Sequence, residues 1–212
     1  HEAFQDIYPT GIVNHDDLDK IRDNLLASIT DKFRLQSGSQ DILTGKNYIS
    51  LQVAKRLANN FLTYEKSYLL DSNKEGVHLN ILHSELELSH VLKVEGVNFT
   101  IKGKIDRVDE CNGEIRIIDY KTGNIQDSDL SFRGWDEFYQ SPCRPKCLQL
   151  LIYSYLFLKN NPSLIGRKVF SGVFSFKHAE RGLIPLSHYS NNVKRTLYVD
   201  NEIIDEIEQL IV

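Results

Sequence analysis

Two aspartates and a lysine define the chemistry open to this chain. They lie in Lys102-Gly103-Lys104-Ile105-Asp106-Arg107-Val108-Asp109 and in Gly113-Glu114-Ile115-Arg116-Ile117-Ile118-Asp119-Tyr120-Lys121-Thr122-Gly123. Between the two stretches sits Asn112-Gly113, flanked by alternating apolar residues. That pattern marks a two-residue type I′ turn, whose central positions both need positive φ. A turn there sets Cys111 across from Glu114. Counting outward, Asp106 falls opposite Asp119 and Lys104 opposite Lys121, with opposed Cβ atoms about 4.5–5.5 Å apart. Asp119 and Lys121 share a face, about 6.5–7 Å apart. Two carboxylates so placed repel each other, and a hard divalent cation with oxygen ligands removes the conflict. A lysine beside such a cation orients or deprotonates a water, or neutralises a phosphoryl oxygen. Cation, water and lysine together suit phosphodiester hydrolysis. The same residues also read as an exposed, salt-bridged hairpin with the lysines paired to the aspartates. The hairpin alone leaves both readings open.

The surrounding residues carry a resemblance. Gly103-x-Ile105-Asp106-Arg107-Val108, then Ile118-Asp119-Tyr120-Lys121-Thr122-Gly123, resembles the RecB/AddB-type nuclease domain of the PD-(D/E)XK superfamily. Downstream, Gln149-Leu150-Leu151-Ile152-Tyr153 matches the Gln-x-x-x-Tyr helix motif of that group. Upstream, His1-Glu2-Ala3-Phe4 resembles the helix segment whose histidine joins the metal site. The resemblance covers the first three-quarters of the chain, in the family's order. It implies an α+β fold: a restriction-endonuclease-like core with a small mixed sheet flanked by helices. It also implies a metal-dependent DNA nuclease. In that scheme Asp106, Asp119, Lys121, Gln149 and Tyr153 form the catalytic set. His1, Asp106, Asp119 and the Tyr120 carbonyl hold Mg2+ or Mn2+.

The resemblance carries further expectations. The chain would be the nuclease domain of a helicase–nuclease acting in double-strand-break repair and recombination. Its partners would be single- or double-stranded DNA ends, a helicase portion of the same polypeptide and a second helicase–nuclease subunit. Its setting would be the bacterial cytoplasm, near the nucleoid, and its action exonucleolytic. Two alternatives stand beside this: a stand-alone endonuclease of the same superfamily, and an inactive nuclease-like module that binds DNA as a scaffold.

Composition narrows the classes. The 212 residues suffice for one nuclease domain with a sizeable core, its first 70 residues helical and residues 77–212 supplying the sheet and its flanking helices. No apolar run approaches the ~20 residues of a membrane-spanning helix, and His1-Glu2-Ala3-Phe4 does not read as the charged opening of a signal peptide. The lack of any methionine reads as a chain cut from a longer polypeptide. A formal charge of −4 is unusual for a free-standing DNA binder. It is less surprising in a module tethered to a DNA-bound motor. Cys111, Cys143 and Cys147 lack the number and spacing of the four-cysteine iron–sulfur cluster that some members of the group carry. They read as reduced thiols, and no cluster is expected.

The elements that must position the site follow from periodicity. Leu18, Ile21, Leu25, Ile29 and Phe33 predict a helix over about 17–35. A second, about 47–70, has Ile49, Val53, Leu57, Phe61 and Tyr64 at helical spacing. From Val77 the period changes to two, predicting a three-stranded meander whose second and third strands carry Asp106, Asp119 and Lys121. Glu85 or Glu87 on the first strand, Glu85 preferred, offers an additional acid. The 122–146 segment is too long for an ordinary connection. Its aromatics interleave with basic residues, so Arg133, Trp135 and Arg144 are candidate contacts to single-stranded DNA, joined by Lys104 and Arg107. The alternative is that Trp135 and the phenylalanines anchor this segment to the core. Residues 147–158 predict a buried helix with Gln149 and Tyr153 as polar exceptions on one face. A strand at 168–177, a polar loop at 178–192 and a terminal amphipathic helix complete the chain. No phosphate-cradling Gly-x-x-x-x-Gly-Lys-[Ser/Thr] loop is present.

Overall fold

The structure, a computed structural model, describes residues 2–5, 8, 10–37, 44–72, 79–140 and 144–212. The two Gly-containing turns organise it. Asn112 and Gly113 adopt φ of 55° and 76°, the pair a type I′ turn requires, and Glu95-Gly96 forms the same kind of turn. They join β2 (Leu79–Val94), β3 (Val97–Cys111) and β4 (Glu114–Lys121) into the expected antiparallel meander. A short β1 (Gly11–Val13) pairs with β2. The chain then crosses through α5 (Pro145–Asn160) to β6 (Val169–Ser175), which lies parallel to β4. Two strands in parallel need such a crossover, and a helix supplies it. With β7 (Leu183–Pro185) the sheet has six strands, in the order β1-β2-β3-β4-β6-β7. This is a mixed α+β sheet flanked by helices, consistent with a restriction-endonuclease-like fold.

Each face of the sheet is covered by different helices. On one, α5 buries Leu150, Leu151, Tyr155 and Leu156 against Ile105, Val108, Ile115 and Ile117. The terminal α6 (Asn201–Ile211), capped by the Asp200 carboxylate at Ile203 N–H, adds Ile204 and Ile207. On the other face pack α2 (Asp17–Ser37) and α3 (Gly45–Ser72). There Phe4, Phe61, Tyr120, Phe174 and Phe176 form an aromatic cluster, with ring centroids 4.6–5.6 Å apart for the pairs Phe61 makes with Phe4, Tyr120, Phe174 and Phe176.

Two expectations change. The stripe α3 buries runs through Leu51, Ala58, Phe61, Leu62, Glu65 and Leu69, while Ile49 and Val53 are exposed. The helix carries apolar residues on more than one face, so periodicity alone did not choose between them. Second, 178–192 is not simply a polar loop. It continues from a 3-10 turn at Phe176–Arg181 into β7 and β8 (Ser187–Ser190). With β5 (Ser131–Phe132) and β9 (Val193–Thr196), β8 makes a second sheet of three strands. Strands of two to four residues are too short for a period-two signal.

Candidate active site

β3 and β4 pair from Cys111↔Glu114 as far as Arg107↔Ile118, then part. One step beyond, the Asp106 side chain replaces the backbone: Oδ2 accepts the Tyr120 N–H at 2.6 Å. The two strands fork there, with Asp106 on one prong and Asp119 and Lys121 on the other. The register therefore brings Asp106 to the Asp119–Tyr120 peptide, as the turn implies. Lys104 does not face Lys121. It is past the fork, pairs with Glu87 on β2, and its Nζ lies 2.7 Å from Glu85 Oε2.

Asp119 is 3% exposed. Lys121 Nζ lies 3.0 and 2.7 Å from its two carboxylate oxygens. The ammonium also donates to Gln149 Oε1 at 3.2 Å, and Gln149 Nε2 donates to the Tyr153 hydroxyl at 2.8 Å. Gln149 and Tyr153 are one turn apart on α5, so their side chains meet on one face. A close approach of α5 to β3 makes this reach possible. A Cβ at Gly103 would lie 2.9 Å from Leu156 Cδ1 and 3.2 Å from the Tyr153 ring. The helix thus spans the fork, touching β4 through Gln149 and β3 through Tyr153. Burial raises the Tyr153 pKa, and the charges of Asp119 and Asp106 add to that, so the hydroxyl keeps its proton as a donor.

Glu85 sits across β2 from Asp106, between the pairs Ser84↔Arg107 and Leu86↔Ile105. Its φ is 53°, a left-handed conformation that costs a non-glycine residue about 1–2 kcal/mol. Glu85 lines a small crevice with Phe4, Tyr8, Asp106 and Tyr120. The Glu85 hydrogen bond raises the Lys104 pKa. Phe4, on α1 (Glu2–Gln5), packs on the Tyr120 ring at 5.6 Å. His1, expected among the metal ligands, lies outside the described residues, as does Cys143.

Arg107 is not a nucleic-acid contact. It is 2% exposed and lies behind the site, donating to the Tyr120 hydroxyl at 3.2 Å and to Asp109 at 2.6 Å. Glu65 of α3 pairs with it at 2.8 Å, and Arg116 holds the other side of Asp109 at 2.6 Å. Arg107 follows Asp106 on the strand, so its side chain turns to the opposite face. Arg144 is also structural. It donates to the Ser128 and Ser131 carbonyls and pairs with Glu137 at 2.7 Å, tying down the segment after β4. Trp135 is half-buried between Phe132 and Phe138, at ring distances of 5.1 and 6.1 Å, so it anchors that segment. Arg133 is exposed, stacked 4.7 Å over the Tyr189 ring. The sequence reading missed the Glu65–Arg107–Asp109–Arg116 network. Its signal was Glu65 itself, an acid on an apolar helical stripe.

The donor set can be weighed against a metal. Among the described residues no three His, Cys, Asp or Glu side chains form a ready cage. Two carboxylates at a fork, with a strand carbonyl beside them, suit a hard divalent cation of the kind that keeps several waters and binds through one or two carboxylates and substrate phosphate rather than through an all-protein cage. Among the described residues these donors are all oxygens, which suits a hard cation.

The chain was compared with known proteins. A family model described as the PD-(D/E)XK nuclease superfamily matches residues 1–210. No curated protein matches. Among solved structures, the crystal structure of SSO0001 is similar over 86% of this chain and 73% of that chain, at 15% identity and a TM-score of 0.28.

Proposed function

Since the chain belongs to the PD-(D/E)XK nuclease superfamily, we propose that it is a metal-dependent deoxyribonuclease whose reacting groups are Asp106, Asp119 and Lys121. One observation carries the reading. The strand fork gathers both acids and the lysine, and α5 fixes the lysine from the far side through Gln149. A purely structural hairpin has no use for a buried aspartate whose lysine partner is itself held by a glutamine.

Asp106, Asp119 and the Tyr120 carbonyl would hold Mg2+ or Mn2+, with Glu85 as an additional acid and His1 as a further ligand. Bound there, the metal would supply a water of lowered pKa and screen the phosphoryl charge. Lys121 would hold a water by its ammonium for in-line attack on phosphorus. Its ammonium also faces the negative charge that builds on the phosphoryl oxygens. Gln149 keeps the ammonium aimed, and the Tyr153 hydroxyl keeps the glutamine amide from flipping. The family motifs extend the proposal to a RecB/AddB-type helicase–nuclease domain that digests DNA ends in break repair and recombination, next to a helicase portion and a second subunit.

The test pairs cleavage with calorimetry. Lys121→Ala should lose at least about a hundredfold in cleavage of linear DNA while still binding Mn2+. Asp106→Asn and Asp119→Asn should lose both. Wild-type protein that neither cuts DNA with Mg2+ or Mn2+ nor binds Mn2+ through these aspartates would leave a scaffold module in place of an enzyme.

A further inference from the structure

Beyond the fork, β2 and β3 leave the rest of the sheet. Residues 82–94 and 97–106 pair only with each other among the described residues. The result is a two-stranded ribbon running on the order of 30 Å from Asp106 to the Glu95-Gly96 turn, at about 3.3 Å per residue. One face is covered. Gly103 abuts Leu156 and Tyr153, His90 packs on Tyr155, and Leu92 is buried in the same cluster. The other face is open. It carries the cross-strand rows Glu87↔Lys104, Ser89↔Lys102, Val91↔Thr100 and Lys93↔Asn98. Past Glu87 this face holds Lys102 and Lys93 and no carboxylate until the turn at Glu95. In a chain of net charge −4, a face that past Glu87 carries lysines and no carboxylate is a local inversion of sign beside the acids of the site.

We propose that this open face is a track for one strand of DNA, with Lys104 and Lys102 holding neighbouring phosphates and Lys93 one further along as the strand leaves the fork. The proposal deepens the nuclease reading and rests on it for the direction of the track. Three features fit a single strand. Lys102 and Lys104 are two strand residues apart, about 6–7 Å, near the spacing of neighbouring phosphates on one extended strand. A concavity of about 510 Å3 lies beside this stretch, lined by Glu87, Leu88, Ser89, Lys102 and Lys104. Val91, 55% exposed in the middle of the row, offers apolar surface to a sugar or base without selecting one. Lys104 links track and site. Its ammonium sits 2.7 Å from Glu85, across the strand pair from Asp106.

The test is binding of short labelled oligonucleotides, single-stranded and duplex, followed by fluorescence anisotropy in EDTA so that nothing is cut. Lys93 and Lys102 are exposed, and a Lys93→Gln/Lys102→Gln double variant should fold as the parent does, which circular dichroism checks. Its affinity for the single strand should fall about tenfold. The slope of log affinity against log salt should flatten by about 1.4, since each phosphate contact on a single strand adds about 0.7. Asp119→Asn, measured beside it, should bind at least as tightly as the parent. An unchanged affinity and slope in the double variant would overturn the track, whatever the cleavage result. A loss confined to the duplex would overturn the single-strand assignment. Loss of binding in a protein that never cuts DNA would support the track and remove only the nuclease.

Discussion

In the proposed reaction Lys121 orients the attacking water, and its position is set by more than its own strand. Asp119 neutralises it from below and Gln149 holds it from α5. Replacing Gln149 by Leu keeps the helix and removes the acceptor. Cleavage should then drop about 10–100-fold, the usual cost of losing a partner that orients a reacting group. The loss should fall on kcat with KM little changed, because the DNA contacts remain. A purely structural role for Gln149 would instead show as a lower melting temperature with normal turnover per folded molecule. The meeting of Asp106 with the Asp119–Tyr120 peptide, and of Gln149 with Tyr153, was legible from motif and spacing, because the turn fixes the strand register and the helix period puts 149 and 153 together. Glu85 was legible only as one of two candidates. The structure places it opposite Asp106 with a left-handed backbone, and no sequence pattern announces that conformation in a glutamate.

At the scale of the element, the site depends on how closely α5 can lie on β3. Gly103 sets that distance. A Gly103→Val substitution puts two methyl groups where Leu156 and Tyr153 already sit. It should cost about 1–3 kcal/mol in urea unfolding as the helix is pushed away. Cleavage should suffer more than stability predicts, because Gln149 moves with the helix. Assaying Gly103→Ala beside it, with its smaller intrusion, should give intermediate values for both. The sequence predicted α5 and its burial from an almost unbroken apolar run. It did not reveal that the family-like glycine in Gly103-x-Ile105-Asp106 acts through the helix above it. That contact joins residues about fifty positions apart, which no local pattern encodes.

For the whole molecule, the network behind the site joins the helical first third to the sheet. Glu65 reaches from α3 to Arg107, and Asp109 lies between Arg107 and Arg116. Burial alone would raise the Asp109 carboxyl, but Arg116 and Arg107 override it and hold its pKa below the ordinary 3.8. The unfolded chain therefore takes up this proton first as the solution is acidified. The stability Asp109 contributes is present above 3.8 and is lost as pH falls from there through the folded value. Asp109→Asn leaves two buried guanidiniums facing one glutamate. It should destabilise the protein by about 3–5 kcal/mol near neutral pH, read as a lowered urea midpoint. The variant should also lack this part of the acid-side decline, so the two unfolding curves should converge as pH drops below 3.8.

The sequence by itself determined the β3–β4 register and the placing of two acids and a lysine beside each other, because each depends on interactions local along the chain: a two-residue turn and a strand alternation. Tertiary structure decided the rest. Only packing chose which stripe of α3 faces the core, buried Arg107 where a DNA contact was expected, and set Trp135 and Arg144 to anchoring the segment after β4. Only the fork between β3 and β4 left the β2–β3 ribbon with one open face and its lysines in a row. Charges read along a sequence show what a side chain can bind. Which face of which element it lands on is set by the neighbours that bury the other face, and those neighbours come from distant parts of the chain.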